Sequence, residues 1–101
     1  MDPKGGLFWN SQKTYKASIS NELYISFSAL LHLATKEKTY LVNALDVYNW
    51  FVKQSTLVKE SGKVEDGIGS DMNKTFDPWS YNQGVILAGI AYICQSEVMK
   101  E

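Results

Sequence analysis

The run Val85-Ile86-Leu87-Ala88-Gly89-Ile90-Ala91-Tyr92-Ile93-Cys94 is apolar around the whole circumference of a helix. A helix of that kind is expected to be enclosed by neighbours rather than laid on a surface. A chain of 101 residues forms one domain at most, and only two other helices can be read in it. Two neighbours cannot cover a helix on all sides, so the chain either self-associates or is a slice of a larger helical array. Gly84 and Gly89, each costing about 1 kcal/mol against alanine inside a helix, point to close backbone approach by another element. Cys94 reads as a small buried hydrophobe. As the single cysteine it allows no internal disulfide and no metal-binding pair.

The other two helices are read from periodicity. Over about 20–35, Leu23, Phe27, Leu30, Leu31 and Ala34 form a stripe, with Ile25 and His32 opposite, so this helix has more than one buried face. Over about 39–54, Leu41, Ala44, Leu45, Tyr48 and Val52 make a single stripe, with Asn43, Asp46 and Lys53 turned to water. The third helix spans about 81–98. Lys36-Glu37-Lys38 is so short a connection that the first two helices must form an antiparallel αα-hairpin. The next connection, 55–80, contains Gly62, Gly67, Gly69 and Pro78, and loops of that length are functional or disordered. Short and long loops in alternation are the pattern of an all-α toroid of αα-hairpins, with helices one and three inside and helix two outside.

Function is expected at the long-loop end. The glycine-led run Gly5 to Asn10, the start of helix one, the long loop and the start of helix three all arrive there, which gathers Trp9, Tyr15, Lys16, Asn21, Glu22, Asp66, Trp79, Tyr81, Asn82 and Gln83. Trp79-Ser80-Tyr81-Asn82-Gln83-Gly84 sets flat rings beside amides, which is sugar-binding chemistry: a ring covers the C–H face of a pyranose and an amide serves its hydroxyls. The same residues also read as a helix start, with Asp77-Pro78 as N-cap and first-turn proline and Ser80-x-x-Gln83 as a capping box. Glu22 serves either the cleft or the dipole of helix one. Asn21 beside Ser20 is either a cleft residue or part of a cap. Asp66-Gly67 is an ordinary turn pair by itself. Trp9 and Trp79 are core or ligand platform, and His32, with no metal-spaced partner, is a packed or partly exposed histidine. Asn73-Lys74-Thr75 is a glycosylation sequon, meaningful only along a secretory route.

Ten Lys and Arg against eleven Asp and Glu leave a net charge of -1, which gives no electrostatic argument for nucleic acid or an anionic membrane. No apolar run reaches the roughly 20 residues of a membrane span. Met1 to Gly6 has no apolar core of a signal peptide, so the leader of a secreted parent would lie outside this sequence. No cofactor or metal motif is read.

Five segments together carry a resemblance. Gly5-Gly6-Leu7-Phe8-Trp9-Asn10, Thr14-Tyr15-Lys16-Ala17-Ser18-Ile19-Ser20-Asn21-Glu22-Leu23, Lys38-Thr39-Tyr40-Leu41, Val64-Glu65-Asp66-Gly67 and Trp79-Ser80-Tyr81-Asn82-Gln83-Gly84-Val85 follow the order and spacing of glycoside hydrolase family 76, which the chain closely resembles over nearly its whole length. The family comprises endo-α-1,6-mannanases and related fungal wall proteins. The resemblance implies part of an (α/α)6 barrel, incomplete in this chain, with an α-1,6-mannan cleft at the long-loop end. It also implies retaining hydrolysis, or transglycosylation of wall mannan in the fungal relatives, and a secreted or wall-associated setting.

One departure limits the chemistry. The family's catalytic pair is two consecutive aspartates on an earlier helix, and this chain has no Asp-Asp. A retaining glycosidase needs two carboxyl groups about 5 Å apart, and Glu22 with Asp66 is the sole couple here to consider. No catalytic residue is therefore assigned within the chain. Trp9, Asn21, Glu22, Asp66, Trp79, Tyr81, Asn82 and Gln83 are expected to bind substrate, and the remaining barrel helices or a second copy to cover the apolar faces. The alternative is a non-catalytic helical module that binds carbohydrate or protein. Thr35-Lys36-Glu37, where relatives often have Thr-Gly-Asp, touches only the short-loop turn.

Overall fold

A computed structural model describes residues 2, 4–69, 74, 75 and 79–100. In chain order the elements are β1 (Tyr15–Ala17), α1 (Ser18–Thr35), α2 (Lys38–Asn49), a π-helical turn (Trp50–Gln54), β2 (Gly67–Gly69), β3 (Lys74–Thr75) and α3 (Ser80–Lys100). The helices are mainly those expected from the periodicity. The three short strands, which the periodicity does not reveal, form an antiparallel sheet in the order β1-β2-β3, with Tyr15 opposite Gly69 and Ala17 opposite Gly67.

The helix α1 lies in the middle, packed on α2 by one side and on α3 by another, while α2 and α3 barely touch. It runs antiparallel to α2, as the short turn requires. It runs parallel to α3, because Glu22 lies by the backbone of Ile86 and Ile25 and Ser26 lie by Gly89. A Cβ at Gly89 would sit 3.0 Å from both Ile25 Cγ2 and Ser26 Oγ, so glycine there sets the close approach of the two helices. Gly84 differs from the expectation: nothing lies within 4 Å of a Cβ built there.

The core is formed by Ile25 and Ala29 of α1, Ala44 and Val47 of α2, Trp50 and Phe51 of the π-helical turn, Leu57 and Val64 of the long loop, and Ile86 and Ile93 of α3. The widened turn, closed by Ser55 N–H donating to the Trp50 carbonyl at 2.8 Å, brings Trp50 and Phe51 together onto that core. Part of the long loop is itself ordered as a small hairpin, with Val58 bridged to Val64 and Glu65 N–H donating to the Leu57 carbonyl at 2.9 Å. Its Leu57 and Val64 belong to the core, with Val58 packed against it.

Three expectations are corrected by this packing. On α1 the buried residues are Ser18, Asn21, Glu22, Ile25, Ser28, Ala29 and His32, whereas Leu23, Phe27, Leu30 and Ala34 of the expected stripe are exposed. Close approach of α3 at Gly89 falls on the Ile25 and Ser26 side of α1 rather than on the expected stripe. As two neighbours require, α3 is not covered on all sides by this chain: Leu87 is 66% exposed and Ala88 and Ala91 are exposed as well. Cys94 lies on that same open side and is exposed rather than buried. Finally, α1 begins two residues earlier than read, with no side-chain cap; Ser18 N–H donates instead to the Asp66 carbonyl at 2.6 Å. The Lys36 N–H ends α1 by donating to the His32 carbonyl at 2.7 Å, with Lys36 itself in the left-handed region at φ 62°. That conformation is the one a glycine adopts most readily after a helix end.

Candidate functional site

Asp66 organises the long-loop end. It stands just before β2, and its carboxylate accepts from the Tyr15 hydroxyl at 2.5 Å and from Asn82 Nδ2 at 2.9 Å. With its carbonyl on Ser18 N–H, one residue ties β1, the start of α1 and the start of α3 together. The neighbouring Gly67 is required by space: a Cβ there would fall 2.4 Å from the Tyr15 ring and 2.6 Å from the Lys16 carbonyl oxygen. Gly67 thus begins β2 rather than closing a free turn.

The amides expected at the site are tied into the scaffold. Asn21 is fully buried inside α1; its Oδ1 accepts from Leu7 N–H at 2.8 Å and its Nδ2 donates to the carbonyls of Ala17 (2.8 Å) and Leu7 (3.2 Å). It pins the amino-terminal segment to α1 and is no part of a cap. Gln83 pairs with both backbone groups of Val64, accepting from its N–H at 2.8 Å and donating to its carbonyl at 2.7 Å. The expected capping box is replaced by this bridge to the loop, and the proposed N-cap Asp77-Pro78 lies outside the described residues, as does Asn73 of the sequon. Asn82 is buried, with Nδ2 on Asp66 and Oδ1 without a hydrogen-bond partner.

The rings stand outside this polar frame. Trp79 and Tyr81, 52% and 45% exposed, stack nearly parallel, with centroids 6.2 Å apart and 5° between planes. Asn82 and Gln83 follow them directly, so the scaffold bonds of those two amides hold the pair at the opening of α3. Trp9 is 65% exposed and meets the Tyr15 ring edge-on at 6.4 Å. None of these tryptophans is core; the buried tryptophan is Trp50, which sequence reading did not single out. The available signal was Gly5-Gly6: both have positive φ, and a Cβ on either would fall within 3 Å of the Trp50 ring.

The two carboxyl groups are in unlike settings. Glu22 is fully buried, both its oxygens lack a hydrogen-bond partner, and burial pushes its carboxyl up to about 8, opposed only by the Ile86 backbone. At neutral pH it is therefore mainly uncharged, and the helix-dipole reading of Glu22 is outweighed by desolvation. Asp66 is half-buried and engaged by Tyr15 and Asn82. Glu22 and Asp66 make no hydrogen bond to each other, and Glu22 is closed off from solvent, so they do not form a nucleophile and acid/base facing a common substrate bond. Among the described residues no group of three His, Cys, Asp or Glu could hold a metal ion, and no helix is long and apolar enough to cross a membrane.

Comparison with known proteins agrees with the motifs. The model of glycosyl hydrolase family 76 matches residues 2–97. The mannan endo-1,6-alpha-mannosidase DCW1 of Saccharomyces cerevisiae is 38% identical over 89 residues, covering 84% of this chain and 20% of the relative. DFG5 of the same yeast, also named a mannan endo-1,6-alpha-mannosidase, is 36% identical with coverage of 84% and 19%. DCW1 of Candida albicans is 37% identical, with 84% and 20%. The chain spans about a fifth of the length of these relatives. The match runs through every element from the amino-terminal turn to α3, and the chain belongs to glycosyl hydrolase family 76.

Proposed function

We propose that this chain supplies one substrate-binding wall of a glycosidase acting on α-1,6-linked mannan. The observation that carries the reading is the exposed Trp79–Tyr81 stack, held by side-chain bonds of the next two residues. A fixed aromatic surface covers the C–H face of a sugar ring with little loss of side-chain freedom on binding. Trp9 at the same end extends the wall, while Asn21, Asp66, Asn82 and Gln83 keep its parts in register. The relatives' names supply the sugar and linkage.

Within this reading the wall holds substrate and does not cut it. Glu22 is enclosed, Asp66 is engaged, and no Asp-Asp occurs in the sequence. Nucleophile and acid/base belong to the greater part of the relatives' length that this chain does not match, and whether they hydrolyse or transfer mannan is decided there. The chain is one segment of an (α/α)6 barrel, whose other helices cover Leu23, Phe27 and Leu30 of α1 and Leu87 of α3. A cell-wall or secreted setting follows from the same family reading. The engaged carboxyls favour one second reading, a helical module that binds carbohydrate without catalysis.

Titration with α-1,6-manno-oligosaccharide tests the wall. Trp79→Ala and Tyr81→Ala are each expected to weaken binding about tenfold, as for loss of an aromatic contact worth 1–1.5 kcal/mol. Unchanged affinity in both variants would remove the assignment. Addition of the missing length with an Asp-Asp pair separates the two readings, since only the enzyme gains mannan cleavage.

A further inference from the structure

A cavity of about 490 Å³ opens at the long-loop end, away from the Trp79–Tyr81 stack, walled by the amino-terminal turn, β1, the π-helical turn and β2. That volume lies within the roughly 300–1,000 Å³ of small-molecule sites. Lys4, Lys13 and Lys16 line it against one carboxylate, Asp2, with the rings of Phe8 and Trp50 beside them. Three cations against one anion give an excess of two positive charges here, on a chain whose net charge is -1.

The lysines are differently placed. Lys16 is fixed: its ammonium donates to Asp2 Oδ2 at 2.7 Å and to the Gly5 carbonyl at 2.5 Å, and it stands 5.2 Å from the Phe8 ring centroid and 5.1 Å from that of Trp50. An ammonium has three donors, so one remains for a ligand. Lys4 and Lys13 are exposed and form no salt bridge among the described residues. Lys13 and Thr56, which both line the cavity, have left-handed φ because Lys13 closes a turn, its N–H donating to the Asn10 carbonyl at 3.2 Å, and Thr56 follows the cap of the π-helical turn.

We propose that this cavity binds a phosphorylated sugar, the phosphate meeting Lys4, Lys13 and the free donor of Lys16, and the sugar lying toward Phe8. Lysine is a point-charge phosphate binder, and the volume exceeds what a bare ion fills. The site does not rest on the mannan wall.

The experiment is titration of the isotope-labelled chain with mannose 6-phosphate, mannose and inorganic phosphate, followed by amide shifts. Mannose 6-phosphate is expected to saturate, to shift Gly5, Lys16 and Trp50, and to bind at least tenfold tighter than either other probe. Lys4→Gln and Lys13→Gln, both at exposed positions that leave the core intact, should each weaken it about tenfold, the loss of one bond to a charged group. Lys53→Gln, outside the cavity, and Trp79→Ala should leave it unchanged, so failure here is distinguishable from failure of the wall. Equal binding of mannose, no saturation, or full affinity in Lys13→Gln overturns the site. Inorganic phosphate binding as tightly as mannose 6-phosphate overturns the sugar assignment.

Discussion

The two sides of α1 invert the usual arrangement of a surface helix. Toward its neighbours it buries Ser18, Asn21, Glu22, Ser28 and His32 around Ile25 and Ala29; away from them it exposes Leu23, Phe27 and Leu30. The buried side is polar where its groups serve specific neighbours: the Asn21 amide anchors Leu7, while Gly89 lets α3 come close to Ile25 and Ser26. The exposed side is apolar because nothing in this chain reaches it. Chemical character therefore identifies which faces of α1 are buried only when the neighbours are known.

The largest effect expected on the buried side comes from Glu22. Folded, its carboxyl keeps its proton until about pH 8; unfolded, it releases it near 4.5. Between those values the folded state binds more protons, so stability falls as pH rises and the loss is complete above pH 8. The full span corresponds to at most about 5 kcal/mol. Urea unfolding at pH 5 and pH 8.5 should show the wild type much weaker at the higher pH and Glu22→Gln nearly flat; a wild type equally stable at both would mean that the carboxyl is solvated. Gly89→Val should rank next, costing about 1–3 kcal/mol by overpacking the α1–α3 seam, visible as a lowered thermal midpoint. The smallest effect belongs to the exposed side: Phe27→Ser should change the stability of this chain by no more than about 0.5 kcal/mol while reducing binding of a hydrophobic dye. A loss above about 2 kcal/mol in that variant would show that copies of the chain cover the stripe.

Much of the fold was legible because its signals are local. The short turn forced the α1–α2 hairpin, and the aromatic and amide cluster marked the start of α3 to within one residue. Pairings that depend on sequence-distant partners were not legible. Asn21 and Gln83 have the composition of ligand-binding amides, and only the positions of Leu7 and Val64 reveal them as ties to backbone. Glu22 reads as a first-turn carboxylate until the Ile86 side of α3 is laid over it. Cys94 and Leu87 read as core because apolar composition records that a face is meant to be covered, not which chain segment covers it. The short sheet escaped notice because its strands are two or three residues long and contain no alternation to detect.

The parallel pairing of α1 with α3 also has a kinetic consequence. The two helices are separated along the chain by all of α2 and the long loop, so their seam closes only after a large loop has been drawn together, whereas the α1–α2 hairpin needs a turn of two residues. Until α3 arrives, Glu22 remains in water and ionised at neutral pH. Docking of α3 over Glu22 thereby favours the protonated carboxyl, so the closed seam is linked to proton uptake at neutral pH.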